Sequence, residues 1–144
     1  MQIESQIYGA FTGWHGEALF KLTNGQFWLQ AEYKYKYKYQ YRPRVVITQL
    51  GGGYEYEMEV EGMEESVRVR QVSAIESRIE GEFKGWSGDT TFQLQNGQTW
   101  QQSAYAYWYH YAYSPEVIVY ESSGGPMLQL ADDDSHAIQV RRIR

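Results

Sequence analysis

The chain is written nearly twice. Ile3-Glu4-Ser5-Gln6-Ile7-Tyr8-Gly9-Ala10-Phe11-Thr12-Gly13-Trp14-His15-Gly16 returns 72 positions later as Ile75-Glu76-Ser77-Arg78-Ile79-Glu80-Gly81-Glu82-Phe83-Lys84-Gly85-Trp86-Ser87-Gly88. The same offset carries Phe20 to Phe92, Asn24-Gly25-Gln26 to Asn96-Gly97-Gln98, Trp28 to Trp100, Gln30 to Gln102, Pro43 to Pro115 and Gly52-Gly53 to Gly124-Gly125. Beyond that point Val67-Arg68-Val69-Arg70 matches Ile138-Gln139-Val140-Arg141 at an offset of 71, which places a one-residue deletion near the turn Asp132-Asp133-Asp134-Ser135. Two copies of one unit, residues 1–73 and 74–144, therefore make up the chain. At about 70 residues a copy is near the lower limit for a self-sufficient core, so the two are expected to pack together and share apolar surface.

Within a copy, alternation with period 2 dominates and no segment carries a 3.6-residue apolar period. Phe20 and Leu22 alternate with polar neighbours before Asn24-Gly25, a hairpin signal. A three-residue loop, Thr23-Asn24-Gly25, pairs Phe20 with Trp28 and puts Phe20, Leu22, Trp28 and Gln30 on one face. Next come five tyrosines at every second position, Tyr33 to Tyr41, repeated as Tyr105 to Tyr113. In a strand such residues share one face, and the row spans roughly 26 Å. Val45-Val46-Ile47 reads as a short buried strand, and Tyr54, Tyr56, Met58 and Val60 alternate with Glu55, Glu57, Glu59 and Glu61 as an amphipathic one. Six or seven short strands per copy predict an all-β protein of two tandem small barrels, SH3-like and related by a pseudo-two-fold; the alternative is one β-sandwich built from both repeats.

The motifs Gly-Trp-x-Gly, Asn-Gly-Gln-x-Trp-x-Gln and Tyr-x-Tyr-x-Tyr-x-Tyr-x-Pro-x-Val, carried by Gly13-Trp14, Asn24-Gly25-Gln26, Trp28, Gln30, Tyr35 to Pro43 and Val45 and by their counterparts, resemble those of small, mostly uncharacterised bacterial β-repeat proteins, some encoded on integron mobile gene cassettes. The resemblance spans nearly the whole chain. It implies a compact β module with an accessory role and carries no activity.

The tyrosine strands dominate the functional reading. If the tyrosine face is buried, the opposite face of copy one carries Lys34, Lys36 and Lys38, expected to pair with the stripe Glu55, Glu57, Glu59 and Glu61. Copy two replaces those lysines with Ala106, Trp108, His110 and Ala112, which makes Trp108 an outward-facing contact residue. The expected binding surface is Trp108 and His110 with Tyr107 and Tyr109, and the expected partner is a protein or a second copy. The alternative is an exposed tyrosine row that binds a small ligand, a carbohydrate or a single-stranded nucleic acid. Trp14, Trp86, Trp28 and Trp100 read as core anchors, and Gln30 and Gln102 as partners for main-chain groups near a strand end.

Catalytic signals are weak. His15, His110 and His136 lack metal-ligand spacing, Ser135-His136 beside Asp134 are near neighbours in a turn, and there is no phosphate loop or dinucleotide fingerprint. No enzyme activity, metal or cofactor is expected. Cysteine is absent, the net charge of −5 argues against a general polyanion binder, and no apolar run approaches the roughly 20 residues of a membrane span. Met1-Gln2-Ile3-Glu4-Ser5 lacks a secretory n-region, which predicts a cytoplasmic, membrane-free protein.

Overall fold

The computed structural model describes residues 2–51, 55–133 and 135–144. Gly52, Gly53, Tyr54 and Asp134, which entered the reading above, lie outside the described residues. The chain divides into two compact units, Met1–Val72 and Ser73–Arg144, and no helix occurs among the described residues. The first unit contains β1 (Gln2–Gln6), β2 (Ala10–His15), β3 (Leu19–Lys21), β4 (Phe27–Gln30), β5 (Tyr35–Tyr41), β6 (Arg44–Gln49), β7 (Tyr56–Val60) and β8 (Val67–Val72). The second contains β9 (Ala74–Arg78), β10 (Glu82–Phe83), β11 (Thr91–Gln93), β12 (Thr99–Gln102), β13 (Ala112–Tyr113), β14 (Glu116–Ser122), β15 (Gly125–Leu130) and β16 (Ala137–Arg142).

The topology is the same twice. A six-stranded sheet runs β1-β6-β7-β8-β4-β3, its counterpart β9-β14-β15-β16-β12-β11, and two-stranded ribbons β2-β5 and β10-β13 complete the units. All strand pairings among the described residues are antiparallel. The edge strands of the first large sheet meet at one isolated bridge, Ile7 to Leu22, and those of the second at Ile79 to Leu94. Each sheet is thus strongly curled. Eight strands per copy replace the six or seven expected, because the tyrosine strand forms a ribbon of its own with β2.

The hairpin after β3 pairs Phe20 with Trp28, as the three-residue loop requires. Asn24 Oδ1 accepts the Gln26 N–H at 3.0 Å, Gly25 sits at φ 88°, and Gln26 Oε1 accepts the Trp28 indole N–H at 3.2 Å. The second copy repeats this with Asn96, Gln98 and Trp100. The motif is therefore a turn that also satisfies the polar atom of a buried indole. Phe11, Trp14, Phe20, Leu22, Trp28, Val45, Ile47, Met58, Val67 and Val69 form one core cluster, and Phe83, Trp86, Phe92, Leu94, Trp100, Val117, Val119, Leu128, Ile138 and Val140 the other. Each cluster and each large sheet draws on one repeat only.

Strand pairing relocates the length change. Met58 pairs with Ile47 as Leu128 pairs with Val119, an offset of 70, whereas Val67 pairs with Met58 as Ile138 pairs with Leu128, an offset of 71. Two residues are lost before Leu128, and one is gained in the turn between β15 and β16. The single deletion placed near Asp132 is corrected accordingly.

The duplicated Gly-Trp step has a steric cause. Gly13 has φ 101° and lies at the register shift of the β2-β5 pair. A Cβ there would stand 1.8 Å from the Lys36 carbonyl oxygen, and at Gly85 the same distance from the Trp108 oxygen. Gly97, with φ 92° in an open turn, has nothing within 4 Å. Gly97→Ala is expected to cost about 1–2 kcal/mol from backbone strain alone. Gly85→Ala adds a main-chain collision and is expected to cost at least about 3 kcal/mol, or to prevent folding of the second unit. Urea denaturation of the two variants checks the difference.

Candidate functional site

The tyrosine rows are the exposed faces. Fractional exposure of Tyr33, Tyr35, Tyr37, Tyr39, Tyr41, Tyr105, Tyr107, Tyr109, Tyr111 and Tyr113 runs from 51% to 88%. Several of the residues between them contact the body of the unit, although Lys36, Lys38 and His110 remain exposed. Ala106, Trp108 and Ala112 pack against the second core cluster, and in the first unit Lys34 Nζ donates to the Ser66 carbonyl at 2.7 Å and Lys38 Nζ to the Gly62 carbonyl at 2.5 Å. The expected burial is therefore inverted. Tyr107 and Tyr109 face solvent, Trp108 is half-buried on the core side, and His110, although exposed, is stacked on Trp108 at 5.0 Å. The four residues do not form one surface: two belong to the tyrosine face and two to its reverse.

The expected charge ladder is also absent. The glutamates lie on and beside β7, which pairs with β6 and β8 and not with β5. Glu57 stands opposite Arg68, and Arg68 lies 3.9 Å from Glu55. The lysines instead lay their stems across the unit and spend two ammonium groups on carbonyls of the 62–66 turn.

Two devices orient the tyrosine strand. One is the close approach at Gly13 and Gly85. The other is the buried Gln30, whose Oε1 accepts the His15 N–H at 3.1 Å while its Nε2 donates to the carbonyls of Glu32 at 2.8 Å and Lys34 at 3.0 Å. Gln102 does the same work, accepting from Gly88 N–H at 2.9 Å and Thr90 N–H at 3.3 Å and donating to Ala104 at 2.9 Å and Ala106 at 3.0 Å. These amides staple the root of each tyrosine strand to the Gly-Trp turn, as the reading of Gln30 and Gln102 expected.

The strand also has an open edge. β5 has one neighbour, β2. Its even-numbered residues make the main-chain bonds to that side: Gly16 N–H donates to the Lys34 carbonyl at 3.0 Å, and Arg42 N–H to the Gly9 carbonyl at 2.9 Å. In the second unit Trp86 and Trp108 exchange two bonds of 2.9 Å. Within a strand the N–H and C=O groups of successive residues point to opposite edges, so those of Tyr35 and Tyr37 point away from the ribbon, whereas in the second unit the row is strand only at Ala112–Tyr113 and is otherwise held by the isolated Trp86–Trp108 bridge. No described strand pairs with that edge of β5. Exposed tyrosine rings, rooted about 6.6 Å apart along the strand, and outward main-chain groups thus lie on the same residues of β5.

Local chemistry around the rows is mild. Partial desolvation, then the charge of Glu82 and a hydrogen bond to it, raises the Tyr111 hydroxyl above the usual phenol range. Asp133 is pushed up by burial, but hydrogen bonds from the Ser135 N–H and hydroxyl and from His136 outweigh that and hold it below its ordinary value. The Ser135 hydroxyl lies 2.7 Å from one Asp133 oxygen and His136 Nδ1 3.0 Å from the other, while the His136 ring stacks on Trp108 at 4.2 Å. Hydroxyl and imidazole are both held by the carboxylate, an arrangement that closes a turn and leaves no activated nucleophile. Among the described residues no three His, Asp or Glu side chains gather as metal ligands would, and no helix is long and apolar enough to cross a membrane.

Compared with known proteins, the chain matches no family model, no curated protein and no solved structure. The internal repeat is the available comparison, and it shows the exposed row twice.

Replacing Gln102 by Leu leaves two N–H groups and two carbonyls without their partner. The variant is expected to lose about 2–4 kcal/mol of stability. Faster amide exchange at Gly88 and Thr90 than in the wild type checks that the loss is local to the strand root.

Proposed function

We propose that the protein is a non-catalytic binding module and that each repeat presents its tyrosine strand to an extended polypeptide. The observation that carries this reading is the coincidence, on Tyr35 and Tyr37, of exposed rings with outward main-chain donors and acceptors, and Tyr107 and Tyr109 repeat the exposed rings. An added strand gains main-chain hydrogen bonds from the edge and side-chain contacts from alternate residues. Tyrosine suits such a surface, because it offers a large amphipathic ring with few torsions to freeze. In the first unit the reverse face of the strand carries Lys34, Lys36 and Lys38, so the favoured peptide there alternates aromatic or apolar residues with acidic ones. The second unit, with Ala106, Trp108 and Ala112 on that side, favours a neutral segment.

The isolated bridge that joins the edge strands supports reading each unit as a small barrel of the SH3-like kind. The motif resemblance to bacterial cassette-borne β proteins fits an accessory binding role in the cytoplasm. A second reading, aromatic stacking of a carbohydrate or single-stranded nucleic acid on the same rows, is favoured by the exposure of all ten ladder tyrosines and needs no open edge.

Panning a displayed library of nonapeptides against the protein tests the first reading. Peptides of alternating aromatic and acidic residues are expected, and their binding should fall at least tenfold in Tyr35→Ser/Tyr37→Ser and in Tyr37→Pro. The proline removes only an outward N–H, so the fold should persist. Enrichment that survives Tyr37→Pro, or binding confined to arrayed oligosaccharides or oligonucleotides, would count against strand addition.

A further inference from the structure

The repeats diverge most on the reverse of the tyrosine strand, at a place independent of the tyrosine rows. In the second unit Trp108 packs against Trp86 with ring centroids 4.8 Å apart, and the imidazoles of His136 and His110 lie nearly parallel to its indole at 4.2 and 5.0 Å. Aromatic rings thus fill the space between the tyrosine strand, the Gly-Trp turn and the turn that ends in His136.

In the first unit the same positions read differently. Trp14 stands for Trp86, Lys36 for Trp108 and Lys38 for His110, and, counted back from β8 and β16, Glu65 for His136. Three rings are missing from that space. A cavity of about 340 Å³ lies there, lined by Trp14, Met63, Lys36, Lys38, Glu64 and Glu65 among others. Met63 packs against the first core cluster, so part of the lining is apolar. The Lys36 ammonium and the carboxylates of Glu64 and Glu65 have no partner among the described residues. Trp14 itself is only 2% exposed, so it offers the cavity little more than an edge.

We propose that this cavity binds a flat aromatic ring of the indole class in the place that Trp108 occupies in the second repeat. The ring would meet Met63 and the edge of Trp14, with Lys36 placed to lay its ammonium over the ring face. A ring carried by a free small molecule and a ring carried by a tryptophan side chain share this chemistry, and two probes separate them.

The test is a titration of the full chain, labelled at the methionine methyl groups, with indole and with a blocked Gly-Trp-Gly peptide, read by NMR. Ring currents are expected to shift the Met63 methyl saturably while the buried Met58 methyl stays in place. Binding by both probes assigns the site to a peptide side chain, and binding by indole alone to a small molecule. Lys36→Trp, which copies the second repeat, should abolish the shift. Lys36→Ala leaves the space open and should retain it for neutral indole, within about threefold in Kd. No Met63 shift with either probe, an unchanged shift in Lys36→Trp, or loss in Lys36→Ala would overturn the proposal.

Discussion

Everything that makes this surface depends on one main-chain contact. Gly13 and Gly85 bring the backbone of the Gly-Trp turn so close to the tyrosine strand that no side chain fits between them. The contact fixes which edge of the strand is bonded and drops Trp14 and Trp86 into the cores, at 2% and 4% exposure. With that edge occupied and several of the even-numbered side chains in contact with the body of the unit, the tyrosines have only solvent to face. Gln30 and Gln102 add a second constraint at the root of the strand, where each buried amide binds main-chain groups on both sides. Neither constraint involves the tyrosine rings, which leaves those rings available for something outside the unit.

Much of this architecture is legible in the amino-acid order. The repeat, the absence of helix, the Phe20–Trp28 register and the core role of four tryptophans follow from alternation and turn chemistry. The orientation of the tyrosine strand does not, because a period of two defines two faces and is silent on which is inside. Lysine at positions 34, 36 and 38 reads as solvent-facing, yet the ammonium groups of Lys34 and Lys38 end on carbonyls of the 62–66 turn. The better signal was in the second copy, where Ala106, Trp108 and Ala112 at the same positions are what an inward face looks like. The lysine–glutamate ladder failed for a related reason: it assumed that a strand of matching period is a neighbour, whereas β5 pairs back to β2 across the hairpin of β3 and β4.

Duplication has also made the two units unequal. One carries an aromatic cluster closed on itself through Trp86, Trp108 and His136. The other carries charges around an open cavity in the corresponding place. The shared feature is a row of exposed tyrosines, and the divergent feature is the face behind it. An exposed edge like that of β5 is an aggregation hazard unless something manages it. The lysines that alternate with the first tyrosine row supply part of that protection, and an added peptide strand would supply the rest.

The account stands or falls on which face of the tyrosine strands meets water. Hydroxyl-radical footprinting of the full chain, read residue by residue by mass spectrometry, measures this directly. The account predicts that the ladder tyrosines, Tyr33 to Tyr41 and Tyr105 to Tyr113, are oxidised at rates close to those in the unfolded chain, while Trp14, Trp28, Trp86 and Trp100 are protected and Trp108 is intermediate. Protected tyrosine rows together with a fully reactive Trp108 would contradict it.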